Sequence, residues 1–372
     1  MKILIENAVP LNNGDAALIF ALGNKFEDDG NKVTYSTTHF EKVKKKYPNH
    51  NWIKTFISLR GINKPFFGFW LLVLNVLFSK KHKDFDAIIS APGGYINSYY
   101  GFKRKLQLMM LYKKLLHKKI YMYSQSIGPL SPEDEKVLQK YIHYFDLFYV
   151  RDDISKKRMD DLGTFKNVVQ TKDAAFLLNK KTHVDKSKKR VAVSVRSWKH
   201  DNRSEEQYKS LIKQFIKFFN DKNYEIYFLS TCQGDPSYVD DAIMAKEIYD
   251  ELPKIIQQKV EVDSESYTLD ELRMKLTEFD YVVGTRLHMC ILSWLSGTPA
   301  FNISYEEKGK ECYNYMNINH YSVDYNFEND LTESLQAFYD LKDRKSIFER
   351  VDFIQKESTN FFNDMYLTIR NK

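Results

Sequence analysis

Short, wholly apolar runs alternate along this chain with longer stretches whose apolar residues recur every three or four positions. That alternation predicts βαβ units and parallel sheets. In the first half the pattern predicts strands at Lys2–Glu6, Lys32–Ser36, Ala87–Ala91, Ile120–Ser124 and Leu147–Val150. Helices fall between them at Asp15–Asp28, Phe102–His117 and Glu133–Tyr144. The last of these follows Ser131-Pro132-Glu133-Asp134, which provides a hydroxyl cap, a proline in the first turn and acids at the positive end of the helix dipole. Between Asn179 and Lys189 the chain is polar, basic and aperiodic, which marks a linker. Beyond it the pattern restarts, with strands at Arg190–Val195, Tyr224–Ser230, Lys259–Val262, Tyr281–Gly284 and Ala300–Ile303. Helices are predicted at Glu205–Asn220, Tyr238–Leu252 and Leu269–Phe279, and a final one runs from about Leu335 onward.

The expected architecture is α/β, with two doubly wound domains, 1–180 and 190–345, and a C-terminal helix, 346–372, packing back on them. Two such domains face a cleft, and the carboxyl ends of their strands carry loops into it. Composition narrows the class. With 43% hydrophobic and 28% charged residues, the 372-residue chain is an ordinary globular protein. Its three cysteines, Cys232, Cys290 and Cys312, form no Cys-x-x-Cys pair, so neither a disulfide framework nor a cysteine zinc site is expected, and a reducing compartment suits them. The N-terminus starts directly with a strand and lacks the features of a signal peptide, and no run approaches the roughly 18 apolar residues of a membrane span. The net charge of +7 favours anionic partners. No nucleic-acid recognition module is visible, and the lysines are scattered. The longest apolar run, Phe66 to Phe78, is followed by Lys80, Lys81 and Lys83. Two readings fit it: a buried core helix, or a peripheral, salt-sensitive membrane contact through residues 66–83.

Unusual residues gather at strand ends. Asn12-Asn13-Gly14-Asp15 precedes an apolar helix, so Gly14 allows a tight turn and Asp15 either caps the helix or sits where its N-terminus meets an anion. Gly93 and Gly94 follow the third strand, as a turn or a close backbone approach to substrate, and Ser126 lies just beyond the fourth. In the second half, Val191–Val195 runs into Arg196, whose fork suits a carboxylate or phosphate, with an ordinary salt bridge as the alternative. The sharpest constellation is Gly284-Thr285-Arg286-Leu287-His288, where a buried strand turns into an apolar helix. A guanidinium, an imidazole and free backbone amides there all favour an anion. Lys308 and Lys310, past the next strand, are anion contacts or a solvated charge run. Asp84-Phe85-Asp86 precedes a strand instead of following one and is set aside as a metal motif, and no nucleophile motif is present.

Taken in order, Asn13-Gly14-Asp15, Pro92-Gly93-Gly94, Ser126-Ile127-Gly128-Pro129, Arg151-Asp152, Asp173-Ala174-Ala175-Phe176, Val193-Ser194-Val195-Arg196, Gly284-Thr285-Arg286-Leu287-His288 and Gly297-Thr298-Pro299-Ala300 resemble the polysaccharide pyruvyl transferase family over residues 1 to 310. The resemblance implies two Rossmann-like domains, similar to GT-B glycosyltransferases. It also implies phosphoenolpyruvate as donor and a cell-surface glycan, or its lipid-linked precursor, as acceptor. On that footing Arg196, Arg286, Lys308 and Thr285 are donor-binding residues, His288 handles protons or the leaving phosphate, and Asp15 is a second acid–base candidate. Gly14, Gly93, Gly94 and Ser126 are substrate contacts. No metal or organic cofactor is required by such chemistry, and a cytoplasmic protein, peripheral at the inner face of the membrane, is expected. The alternatives are a nucleotide-sugar glycosyltransferase of similar fold and a non-catalytic glycan-binding protein.

Overall fold

A computed structural model describes residues 1–181, 188–198, 203–235 and 238–371. The core of the expected linker, residues 182–187, lies outside the described residues. Two compact units emerge: residues 1–11, 18–177 and 356–372 form one, and residues 12–17 and 178–355 form the other.

The first unit is built on β1 (Lys2–Glu6), β2 (Lys32–Thr37), β3 (Trp52–Lys54), β4 (Ala87–Ser90), β5 (Gly93–Ile96), β6 (Lys119–Ile127), β7 (Leu147–Val150) and β8 (Val168–Gln170). All pairings are parallel, in the order β3-β2-β1-β4-β6-β7-β8, with β5 alongside the end of β6. Ile3, Leu4 and Ile5 are wholly buried, as a central strand covered on both faces requires. Gly93-Gly94, read from sequence as a turn, opens β5 and pairs along Gln125 to Ile127. This is possible because β6 continues past Ser124, which takes a left-handed φ of 49° and shifts the register with β7. The Ser124 hydroxyl holds that irregularity by donating to Lys172 O and accepting from Ala174 N, both at 2.9 Å.

The second unit has β9 (Arg190–Ser194), β10 (Glu225–Phe228), β11 (Val260–Val262), β12 (Tyr281–Gly284), β13 (Ala300–Ser304) and β14 (Ser322–Asp324). They form a parallel sheet in the order β11-β10-β9-β12-β13-β14. The strand order reverses between β9 and β12, and in open α/β sheets ligands bind beyond the carboxyl ends at such a switch point. Arg196 lies just past β9 and Arg286 just past β12, so this topology puts both arginines at one place in the sheet.

The expected final helix is two, Thr332–Asp340 and Arg344–Arg370. Leu341 closes the first in a left-handed conformation, φ 35°, donating its N–H to Ala337 O. The apolar segment is a helix, Pro65–Phe78, but not a fully buried one: Leu72 and Val76 are inside while Phe66, Trp70 and Leu74 are exposed. No helix among the described residues is long and apolar enough to cross a membrane. All three cysteines are buried and unbridged.

Candidate active site

The turn from β12 into the helix Leu287–Leu295 is made by glycine and by buried polar groups. A Cβ on Gly284 would lie 2.4 Å from Cys290 Sγ, so only glycine lets the strand end and the following helix approach this closely. Thr285 donates its N–H to Ser194 O and shares a 2.7 Å hydrogen bond with the Tyr208 hydroxyl, which also accepts from Arg196 N. Tyr208 in turn stacks on Tyr325 with ring centres 4.0 Å apart. The two strand ends carrying the arginines are thereby locked to one phenol. Arg286 is the N-cap residue of the helix, and no side chain caps it.

Arg286 is nearly buried and forms a two-pronged ion pair with Asp241, Nε to Oδ2 at 2.8 Å and Nη2 to Oδ1 at 2.7 Å. Ser230 adds a hydrogen bond to the same carboxylate at 2.7 Å. Burial alone would lower the guanidinium pKa, but the charge and hydrogen bonds of Asp241 outweigh it and hold the group firmly protonated. Much of its charge is therefore already answered within the protein.

Arg196 differs. Its Nη1 meets the Tyr305 hydroxyl at 2.5 Å and its guanidinium lies over the Tyr305 and Trp198 rings. The buried Nε has no hydrogen-bond partner among the described residues, and no carboxylate there lies within ion-pair distance. Lys308 pairs with Glu306 at 2.6 Å. Burial would raise the Glu306 carboxyl, yet Lys308 and Arg196 pull it down to about 2. Lys310 bonds Asp324 at 2.7 Å.

The helix start at Asn13–Asp28 belongs to this cluster, since residues 12–17 group with the second unit. Asn13 donates its N–H to Thr231 O at 2.8 Å. A Cβ on Gly14 would sit 2.7 Å from His288 Nδ1, so the imidazole rests directly against the glycine backbone. Asp15 is held by Asn12, which accepts from its N–H and donates Nδ2 to Oδ2 at 2.6 Å. Cys232 lies among these charges: burial lifts its thiol to about 11, and Arg286, Asp241, Arg196 and Asp15 all act on it. Two helix N-termini, two arginines, an imidazole and a carboxylate thus share one region, a combination suited to an anion whose reaction moves protons. No group of three or more His, Cys, Asp or Glu able to hold a metal lies among the described residues.

Gly93, Gly94 and Ser126 belong to the first unit, where they surround a buried charge cluster. Ser126 accepts from Arg151 Nε at 2.6 Å and donates to Asp152, while Arg151 Nη1 reaches Asp173 at 2.9 Å. Sequence reasoning missed Asp241, Tyr208 and Tyr305. Tyr305 carried a signal, standing immediately after β13. Asp241 carried none, because nothing local distinguishes it from its neighbour Asp240, which caps the same helix.

The profile of the polysaccharide pyruvyl transferase family matches residues 12–307. The amylovoran biosynthesis protein AmsJ of Erwinia amylovora is 29% identical over 251 residues, 62% of this chain and 59% of that protein. The chain therefore spans about three fifths of the length of that relative. Among solved structures, a glycosyltransferase from Rickettsia africae aligns over 100% of this chain and 99% of its own, with a TM-score of 0.66 at 10% identity. A putative UDP-N-acetylglucosamine 2-epimerase from Listeria monocytogenes gives 0.63 at 11% identity, over 98% of this chain and 94% of its own. At such identities the likeness is one of fold, the pairing of two parallel α/β units found in GT-B glycosyltransferases and these epimerases.

Proposed function

The chain belongs to the polysaccharide pyruvyl transferase family, and from that premise we propose that it moves the pyruvyl group of phosphoenolpyruvate onto a sugar of a cell-surface polysaccharide or its lipid-linked precursor, forming a pyruvate ketal. The observation that carries this reading is Arg196: buried, with an unpartnered Nε, beside a helix N-terminus bearing Arg286 and His288. A donor with a carboxylate and a phosphate would complete the hydrogen bonding of that guanidinium, and helix amides add further donors.

The chemistry balances without a further reactant. Protonation of the methylene carbon makes the neighbouring carbon electrophilic, and a sugar hydroxyl adds to it. Departure of phosphate regenerates a cationic carbon, and a second hydroxyl closes the ketal. Of the two hydroxyl protons released, one offsets the proton taken up at carbon and the other leaves on phosphate. His288 is the group we assign to this traffic, as proton carrier or as partner of the leaving phosphate, with Asp15 as the second candidate. Arg196 orients the carboxylate or phosphate, and Thr285 and the helix start position the donor. Arg286, steadied by Asp241, has only its remaining Nη1 to offer. Lys308, paired with Glu306, is a weaker donor contact than its sequence position suggested.

The test is phosphate release from phosphoenolpyruvate, measured with and without lipid-linked sugar acceptors. Acceptor-dependent release is the expected result. Its absence with every acceptor, in protein that still binds phosphoenolpyruvate, would remove the transfer reaction.

A further inference from the structure

The helix Pro65–Phe78 is apolar on both sides, but only one side is covered. Leu72 and Val76 pack into the core with Phe102, Leu106 and Met109. The opposite side presents Phe66 (78% exposed), Phe67 (57%), Trp70 (49%), Leu74 (52%), Leu77 (41%) and Phe78 (75%). These positions recur every three to four residues and so form a single stripe. An apolar stripe with two phenylalanines and a tryptophan at one end is larger than a scatter of exposed residues explains. Nor is the helix loosely attached. Arg104 Nη2 bonds Lys64 O at 2.9 Å at its beginning, and Lys118 Nζ bonds Lys83 O at 2.6 Å just past its end.

The surroundings say what covers the stripe. Arg60, Lys64, Lys80, Lys81 and Lys83 are exposed around its two ends. Between Lys42 and Pro132 the sequence contains no acid except Asp84 and Asp86. A second copy docked on this face about a two-fold axis would bring two equally basic rims together, which like-charge repulsion opposes. A surface that is apolar within and anionic at its rim answers both features at once, and that is an acidic lipid leaflet.

We propose that residues 64–83 form a membrane-binding face, with the Phe66–Phe78 stripe lying in the headgroup–acyl boundary of an anionic bilayer and the flanking lysines on its headgroups. The surface argument is independent of the donor. Only its purpose, keeping the enzyme where a lipid-carried acceptor is, rests on the reading above. Trp70 reports on it directly, because Trp294 is wholly buried and Trp52 is 9% exposed.

The experiment mixes full-length protein, without donor or acceptor, with vesicles of phosphatidylcholine alone or with phosphatidylglycerol. Co-sedimentation with the anionic vesicles, weakened by salt, and a blue shift of tryptophan emission absent from Trp70→Phe are expected. Trp70→Ser/Leu74→Ser should abolish sedimentation. Lys80→Glu/Lys81→Glu/Lys83→Glu should weaken it by a hundred-fold or more, from roughly five-fold per lysine removed. Parent protein that stays in the supernatant overturns the proposal, as does binding indifferent to both variants. Concentration-dependent dimers, dispersed by Trp70→Ser/Leu74→Ser in protein that ignores vesicles, would instead assign the stripe to a second copy. None of these outcomes depends on phosphate release, so this face and the transfer reaction fail separately.

Discussion

At the scale of single residues the two arginines do different work, and the difference can be measured. Arg286 spends two of its nitrogens on Asp241 in a nearly water-free setting, whereas Arg196 has a buried nitrogen without a partner. Arg196→Lys keeps the charge but loses the planar fork, so it should raise KM for phosphoenolpyruvate by ten- to a hundred-fold. That corresponds to about 1.5–3 kcal/mol for a lost charged hydrogen bond. Its unfolding should be unchanged. Arg286→Lys should lower stability as well, because one lysine nitrogen cannot replace the paired contacts and Asp241 remains buried. Equal stability losses in the two variants would refute the distinction. His288 and Gly14 form a second pair. Alanine at residue 14 would press on Nδ1, so Gly14→Ala should displace the ring and lower kcat in the same direction as His288→Ala, by about a hundred-fold. The double variant should be no worse than His288→Ala, since both act through one imidazole. Additive losses would separate the two residues. The sequence pointed to His288 and Gly14 separately, from a helix start and a tight turn. Their contact was not legible, because 274 positions lie between them and no local pattern records it.

At the scale of elements, long covered strands were legible and short ones were not. β1, β9 and β12 are continuous apolar runs, while β3, β8 and β14 have three residues each, too few to show a period. The break at Leu341 escaped because a left-handed closure usually advertises itself with glycine, and leucine does not. The exposed side of Pro65–Phe78 escaped for another reason: uniform apolarity gives no orientation, and only packing reveals which side is covered. Its connection to β4 contains His82, buried against Tyr112 (ring centres 5.4 Å) and Phe56 (4.6 Å), with Nδ1 2.7 Å from Ser79 Oγ. Burial, helped by the charge of Lys81, lowers its pKa to about 4. Between that value and the ordinary one near 6.5 the unfolded chain binds the proton and the folded chain does not, so stability rises with pH across this window. The denaturant midpoint should therefore fall as pH drops from about 6.5 to 4, by up to about 3 kcal/mol from this residue. His82→Phe, which keeps a ring without a proton site, should flatten that part of the profile. Parallel profiles for parent and variant would show that His82 takes no part.

At the scale of the molecule, charge and site pull in different directions. A net charge of +7 draws any anion to the surface, and a binding signal from phosphoenolpyruvate alone would prove little. Within the second unit, by contrast, the cations are largely matched: Arg286 by Asp241, Lys308 by Glu306. Selectivity must then come from directed groups, Arg196 and the helix starts, instead of from excess positive charge. Both the alternation of elements and the ordered motifs made the two-unit α/β plan legible from the sequence. The charge matching was not, because Asp241 and Glu306 acquire their partners only in the fold. A ligand that fits the directed groups stabilises the folded state by about 2.7 kcal/mol at a hundred times its Kd, which is a few degrees in Tm for a unit of this size. Sulfate at equal ionic strength, which answers only general charge, should raise Tm much less, and Arg196→Lys should narrow the gap between the two anions. Nucleotide sugars are the decisive comparison, since glycosyltransferases of this fold would bind them through a diphosphate at the same helix start. Phosphoenolpyruvate raising Tm above both sulfate and a panel of nucleotide sugars is the expected order. If the nucleotide sugars stabilise the protein and phosphoenolpyruvate matches sulfate, the donor is a sugar nucleotide and the ketal chemistry falls with it.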